Sequence, residues 1–246
     1  MYDFGIPEIA ERHPMPQENL LPFFEYFAGE PHQKEAVQLL QSSMNQELLK
    51  PTAAWIEKYR ETPKPPVSDG SANPLDVEHD TQYNNPSGEG WRECFSSSCA
   101  MAARFHLGIE FNEYHQRRPQ YGDSTDASAQ VRTLKSFGLE AKFVQIGSVE
   151  KLKQQIDLGR PTPVGYLHKG TGHGTGGGHY CLCIGYDESG LWMNDPGGQL
   201  DCINGGFVST EQYAGRKVHY SYENWVPRWS VANDHDGWGV GIYLPK

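Results

Sequence analysis

The stretch from Arg92 to Phe105 constrains the fold more than any other part of the chain. It reads Arg92-Glu93-Cys94-Phe95-Ser96-Ser97-Ser98-Cys99-Ala100-Met101-Ala102-Ala103-Arg104-Phe105. Phe95, Ser98, Met101, Ala102 and Phe105 recur at three- and four-residue intervals, and this spacing predicts a helix with one buried face. The segment before it, Asn84-Asn85-Pro86-Ser87-Gly88-Glu89-Gly90, is dense in turn residues. Cys94 therefore falls where a loop becomes a helix. A helix N-terminus presents unpaired N–H groups and a partial positive charge, and both favour a thiolate over a thiol. A free cysteine is also a common small core residue. The stretch alone leaves both readings open.

A chain of 246 residues buries a full core and holds one domain, or one domain and a small extra. Its net charge of -10 argues against nucleic acid or an anionic membrane surface as the main partner. No apolar run is long enough for a membrane span. The start, Met1-Tyr2-Asp3-Phe4-Gly5, has neither the basic nor the apolar region of a signal peptide, so a product that is cytoplasmic as synthesised is expected. The five cysteines are Cys94, Cys99, Cys181, Cys183 and Cys202, an odd count that suits free thiols in a reducing compartment. Cys181 and Cys183 have C-x-C spacing, but no second pair completes a zinc site, so no metal is expected there. Asn233-Asp234-His235-Asp236-Gly237 hints at a calcium loop through Asp234 and Asp236, yet lacks the later acidic ligand, and a plain turn is the simpler reading.

Residues 1–60 read as an irregular, proline-rich start followed by a helical hairpin, with Pro51 ending its first helix. Residues 61–74 read as a proline-rich linker, and 75–246 as the main domain. Within that domain Leu75–Tyr83 is an extended entry segment, and Tyr114–Asp126 is polar and loop-like. A helix is predicted over Ala127–Phe137, ended by Gly138. A strand follows over Leu139–Ile146. A helix capped by Ser148 runs to Leu158, and a strand covers Pro161–Leu167. The glycines between His168 and His179 predict a loop without stiff structure until His179. Tyr180–Tyr186 is then a buried strand, Asp187–Gly190 a turn, and Leu191–Asp195 the antiparallel return. Trp225–Trp229 and Gly237–Tyr243 read as late strands.

A thiol nucleophile requires a base in hydrogen-bond reach, an acceptor to orient the base, and donors for the developing oxyanion. Cys94 is the candidate nucleophile, His179 the base and Asp195 the orienting acid. Gln82, with the backbone N–H at Cys94, is the candidate oxyanion donor. His168 and His173 compete for the base role from the glycine-rich segment, whereas His179 opens a rigid strand. Simple pairing across the turn, with Tyr186 facing Leu191, sets Leu182 opposite Asp195 and turns the acid away from His179. The two share a face only with an odd loop or a bulge.

Gln82, Cys94 opening a helix with Cys99-Ala100-Met101, Gly178-His179-Tyr180, Gly185-Tyr186-Asp187 and Asn194-Asp195-Pro196 together resemble the bacteriocin-processing, double-glycine leader type of papain-like cysteine peptidase, and more closely its stand-alone relatives. Phe95-Ser96 stands where that family often has Gly-Pro. The resemblance implies an α+β papain-like fold, with the nucleophile helix packed on an antiparallel sheet behind an N-terminal helical prefix. It also implies a Cys94-His179-Asp195 triad assisted by Gln82, and no cofactor. Gly205-Gly206-Phe207, Tyr220–Trp225 and Arg228-Trp229 are loosely similar to phage or bacterial proteins of cell-wall breakdown. That similarity implies an endolysin-like peptidase or amidase acting on peptidoglycan or another peptide, released to the wall during lysis. A non-catalytic virion or wall-binding protein on the same fold, a peptidase acting on a protein, and an acyl-transferase remain as alternatives.

Overall fold

The computed structural model of the protein describes residues 73–232 and 235–244. The helical hairpin expected within 1–60, the linker up to residue 72, and Asn233 and Asp234 lie outside the described residues.

Helix α1 (Cys94–Leu107) begins at Cys94. Its burial exceeds the single face that the spacing predicts, since every residue from Phe95 to Ala103 is buried. Three consecutive serines tolerate this because they find partners. Ser98 Oγ donates to Cys94 O at 2.8 Å, and Ser96 Oγ accepts from Gln130 Nε2 at 3.0 Å. Phe105, expected on the buried face, is exposed instead, because the last turn runs past the packed layer. Gly108 then ends the helix in the left-handed conformation, which costs glycine little.

The polar segment expected as a loop over Tyr114–Asp126 is partly helical. It holds the end of α2 (Phe111–Arg117) and a 3-10 turn over Arg118–Gln120. The inward face of this stretch is Tyr114, His115 and Arg118, which bond Gln130, Asp80 and Glu93 respectively. Helix α3 (Ala127–Ser136) opens on Asp126, whose carboxylate accepts from Ser128 N. Helix α4 (Val149–Asp157) opens on Ser148 and turns Leu152 and Ile156 inward.

The main sheet has six antiparallel strands. In chain order they are β1 (Glu140–Gly147), β2 (Thr162–Lys169), β3 (Thr175–Tyr186), β4 (Gly190–Asn194), β7 (Val218–Ser221) and β8 (Gly237–Tyr243). Their spatial order is β1-β8-β2-β3-β4-β7. Strands β5 (Gln199–Leu200) and β6 (Phe207–Ser209) form a separate ribbon. Two expectations fail here. Strand β3 starts at Thr175, not His179, because β2 extends to Lys169 and offers Leu167 and Lys169 as ladder partners to Gly178 and Thr175. Trp225–Trp229 lies in helix α5 (Tyr222–Trp229), not a strand. Ser221 caps it by accepting from Asn224 N, and Tyr222, Trp225, Val226 and Trp229 fall at helical spacing, with both tryptophans buried.

Neighbouring residues of a strand point to opposite faces. Phe95 of α1 stacks on Tyr180 with ring centroids 3.6 Å apart. Trp225 of α5 packs on Tyr166, which pairs directly with His179. Helices α1 and α5 therefore cover opposite faces of β2 and β3.

Strand β3 carries a one-residue bulge against β4. Tyr186 pairs with Leu191 and Gly185 with Trp192, but Cys183 pairs with Met193 and Leu182 with Asn194, so Ile184 is the extra residue. Its carbonyl is free to accept from Leu75 N at 2.7 Å. Asn73 holds the same strand end, exchanging two 2.8 Å hydrogen bonds with the Tyr186 backbone.

Candidate active site

The bulge at Ile184 supplies the register change that simple pairing lacks. With Leu182 opposite Asn194, the next pair sets Cys181 opposite Asp195, and His179 becomes a diagonal neighbour on the same face. His179 Nε2 lies 2.7 Å from Asp195 Oδ1. That leaves Nδ1 as the nitrogen available to the Cys94 sulfur, whose charge acts on the ring. His179 and Asp195 are buried, and Cys94 is partly exposed at the start of α1.

Asp195 is fixed by more than the imidazole. Gly197 N donates to Oδ1 at 2.9 Å. Tyr166 OH donates to Oδ2 at 2.5 Å and Tyr220 OH to the same oxygen at 3.4 Å. Burial, then the Asp195 charge, pushes both tyrosines well above their ordinary range, so they serve as neutral donors. Asp195 O accepts from His79 Nε2 at 2.9 Å, and Asp195 N donates to Gly215 O at 2.8 Å. Burial works against a charged His179, but the carboxylate of Asp195 and the sulfur of Cys94 outweigh it and raise its pKa to about 10. Phe207 and Tyr166 present edges to the ring at 5.2 and 5.3 Å. A Cβ on Gly197 would stand 2.7 Å from His179 Cε1, so only glycine fits beneath the imidazole.

Gln82 is buried between the two sides of this arrangement. Its backbone N–H donates to Pro196 O at 3.0 Å, and its Nε2 donates to Gly90 O at 2.8 Å, in the turn leading to Cys94. One carboxamide N–H is left over. The next residue, Tyr83, has its pKa raised first by burial and then by the charges of Asp195 and Cys94, which places this segment beside both.

Of the competing histidines, one stands beside His179 and the other in an exposed loop. His168 stacks on Phe207 and shares a 2.7 Å hydrogen bond with Gly177 O, its ring 5.7 Å from that of His179. His173 is exposed in the loop between β2 and β3. Cys181 and Cys183 point into the core from β3, and burial raises both thiols. Among the described residues no group of three or more His, Cys, Asp and Glu side chains is arranged to hold a metal. Asp236 accepts from Ser230 Oγ and Ala232 N, as a turn aspartate does.

Sequence reasoning does not reach Tyr166, Tyr220 or His79, which come to Asp195 from distant segments. It also misses a buried charged group behind Cys94. Glu93, Arg118, His115 and Asp80 form it, with Arg118 Nη2 2.8 Å from Glu93 Oε1 and His115 Nε2 3.0 Å from Asp80 Oδ2. The available signal was charge and histidine at the inward positions of a short helix.

The Peptidase_C39-like family model matches residues 74–217, more than half of the chain. The chain belongs to the Peptidase_C39-like family. It is a cysteine peptidase by family, and the matched span contains Gln82, Cys94, His179 and Asp195. Among solved structures it is similar to the peptidase domain of Streptococcus ComA, a bifunctional ABC transporter involved in a quorum-sensing pathway, with 17% identity, TM-score 0.41, and 63% of this chain and 93% of that chain covered. It is similar to a double-glycine-motif protease from an AMS/PCAT transporter, solved in complex with the leader peptide, with 15% identity, TM-score 0.44, and 71% and 96% covered. A protein described as a C39-like peptidase from Bacillus anthracis has 14% identity, TM-score 0.47, and 70% and 96% covered. Among curated proteins no significant match exists. Among the described residues no helix is long and apolar enough to cross a membrane.

Proposed function

We propose that this C39-like chain cleaves peptide or amide bonds by covalent thiol catalysis, with Cys94 as nucleophile. The observation that carries the reading is the buried His179–Asp195 pair, with Nε2 2.7 Å from Oδ1, standing close enough to Cys94 for its sulfur to raise the imidazole pKa. The Cys94 sulfur attacks the scissile carbonyl while His179 holds the thiol proton at Nδ1. That proton goes to the leaving amine as the tetrahedral intermediate collapses to a thioester. Water, activated by the same imidazole, then releases the acyl product and restores the thiol. Asp195 keeps the ring oriented and stabilises its charged form. The remaining Gln82 N–H and the backbone N–H of Cys94 stabilise the oxyanion.

The cell-wall similarity of the C-terminal segments implies peptidoglycan peptides as substrate, and the test includes them. Free-amine release is measured from isolated bacterial peptidoglycan and from an extended peptide with small residues before the scissile bond, beside a Cys94→Ala control. Release that the control abolishes supports thiol catalysis, and the substrate that yields it names the class. Activity retained by Cys94→Ala would end the proposal. So would rates of iodoacetamide labelling at Cys94 no greater than at the four other cysteines.

A further inference from the structure

We propose that His115, remote in sequence from the reacting groups, is a positioning residue that ties the Gln82 segment to the start of the nucleophile helix. This inference rests on the roles given above to Cys94 and Gln82.

The Gln82 segment is fastened firmly on the Asp195 side. His79 Nε2 donates to Asp195 O, Thr81 Oγ1 to Pro196 O at 3.4 Å, and Gln82 N to Pro196 O at 3.0 Å. On the Cys94 side Gln82 Nε2 donates to Gly90 O at 2.8 Å, and an oxyanion hole built from Gln82 and the Cys94 N–H works only if the two keep one spacing. Two buried carboxylates bracket that spacing. Asp80 stands two residues before Gln82, and Glu93 immediately before Cys94. Left to themselves they repel, and burial makes both costly.

His115 sits between them. Its Nε2 lies 3.0 Å from Asp80 Oδ2, and its Nδ1 forms a 3.7 Å ion pair with Glu93 Oε2. The imidazole is rigid and its nitrogens diverge, so one ring sets how far apart the two carboxylates stand. Arg118 Nη2 binds Glu93 Oε1 at 2.8 Å, while its Nη1 donates to Gly122 O. It supports Glu93 from behind. Facing the ring are Glu93 at the N-cap of α1, the Ser97 hydroxyl from α1, Asp80 from the entry segment, and Tyr114 from its own helix. Burial disfavours an imidazolium here, but Asp80 and Glu93 outweigh it and raise the His115 pKa. Burial likewise opposes the Glu93 charge, yet His115, Ser96 and Arg118 hold its pKa at about 2. Glu93 also starts the helix, since its carbonyl accepts from Ser97 N at 2.8 Å. Moving Glu93 therefore moves the turn that aims the Cys94 N–H.

Two reagents separate positioning from general damage. Iodoacetamide is attacked at a tetrahedral carbon: the Cys94 sulfur forms the S–C bond, iodide leaves with its electron pair, and no oxyanion develops. 4-Nitrophenyl acetate is attacked at a carbonyl: an oxyanion forms, 4-nitrophenolate leaves, and water hydrolyses the thioester. In His115→Gln the first rate stays within about twofold of wild type and the second falls ~10-fold, short of the ~10²–10³ expected when a donor is lost outright. Gln82→Ala alone shows the same selective loss, and His115→Gln adds nothing further to the ester rate in that background, because it acts through the same donor. Asp80→Asn, which keeps a side chain of the same size and removes one charge, repeats the selective loss and serves if His115→Gln folds poorly. Parallel loss in both reactions, or effects of His115→Gln and Gln82→Ala that multiply, would overturn the positioning role while leaving the catalytic reading intact. An ester rate unaffected by Gln82→Ala overturns both the oxyanion assignment and this proposal, and one unaffected by Cys94→Ala ends the nucleophile assignment and this proposal with it.

Discussion

Tyr166→Phe removes one oxygen from a fully buried site and keeps the ring that packs on Trp225. The lost hydroxyl donates to Asp195 Oδ2, a charged acceptor with no exposure to solvent. A hydrogen bond to a charged group contributes about 1.5–3 kcal/mol. Among the described residues the other donor to that oxygen is Tyr220 OH at 3.4 Å, which must approach by roughly half an ångström to compensate fully. Tyr220 is restrained, because its hydroxyl also accepts from Leu200 N at 2.9 Å. Compensation is therefore partial and the cost stays near 1.5–3 kcal/mol, a fall of about 3–12 °C in Tm for a domain of this size. Tyr220→Phe strands the buried Leu200 N–H and costs about 1–3 kcal/mol by the same reasoning. The double variant costs more than the sum, since Asp195 Oδ2 then loses both hydroxyls, with a coupling of ~0.5–3 kcal/mol. Urea unfolding followed by tryptophan fluorescence measures all four proteins. An unfolding curve for Tyr166→Phe that overlays wild type, or strictly additive costs, would refute the view that these hydroxyls carry the Asp195 charge.

Gly197→Ala drives a methyl into His179 Cε1 and Phe207 Cζ, at 2.7 and 2.8 Å. The ring is expected to leave Asp195, so hydrolysis falls at least ~10-fold while the protein stays folded, as checked by circular dichroism beside the rate assay. Stability depends on pH in both directions. His179, raised from 6.5 to about 10, and His115, raised as well, stabilise fully below pH 6.5 and lose that contribution as pH rises through their folded values. Glu93, lowered from 4.5 to about 2, stabilises above pH 4.5, and His106, lowered by burial from 6.5 to about 4, stabilises above pH 6.5; both contributions are lost as pH falls. Thermal unfolding across the pH range should give a maximum near pH 6.5, and a steady rise in Tm on the alkaline side would contradict the raised histidines. Arg228 is buried and donates to the carbonyls of Cys202, Leu167, Lys169 and Gly170. Arg228→Lys cannot reproduce that planar fork and should cost about 1–3 kcal/mol in urea unfolding.

The parts of the fold that were legible in the sequence are those that local chemistry dictates. The turn residues before Cys94 and the small-residue run after it gave the start of α1. Ser148 and Gly138 marked helix ends by capping and by a positive φ of +93°. The pairing of Tyr186 with Leu191, and the need for a register change before His179 meets Asp195, both follow from two-residue periodicity. What was not legible depends on partners far away in the chain. Gly176 to Gly178 look unstructured alone and become strand because β2 runs alongside. The segment around Tyr114 and His115 looks like a loop because its inward face is polar, and the groups it meets there, Gln130, Asp80, Glu93 and Ser97, come from other parts of the chain. Tyr166 and Tyr220 give no local sign that their hydroxyls meet at one carboxylate. In Trp225 to Trp229, aromatic content suggested a strand and outweighed a three- and four-residue spacing that was already present.

The extra residue in β3 makes length as binding a constraint as identity between His179 and Asp195. Removing Ile184, or adding one residue anywhere in that span, reverses which side of the sheet every residue back to His179 faces. Cys181, Leu182 and Cys183, all fully buried, would exchange faces of the sheet, so the error would spread to packing as well as to the histidine. Sequences that share this architecture are therefore free to vary the turn from Asp187 to Gly190 by two residues more readily than by one. Parity, rather than any single side chain, is what this hairpin has to keep.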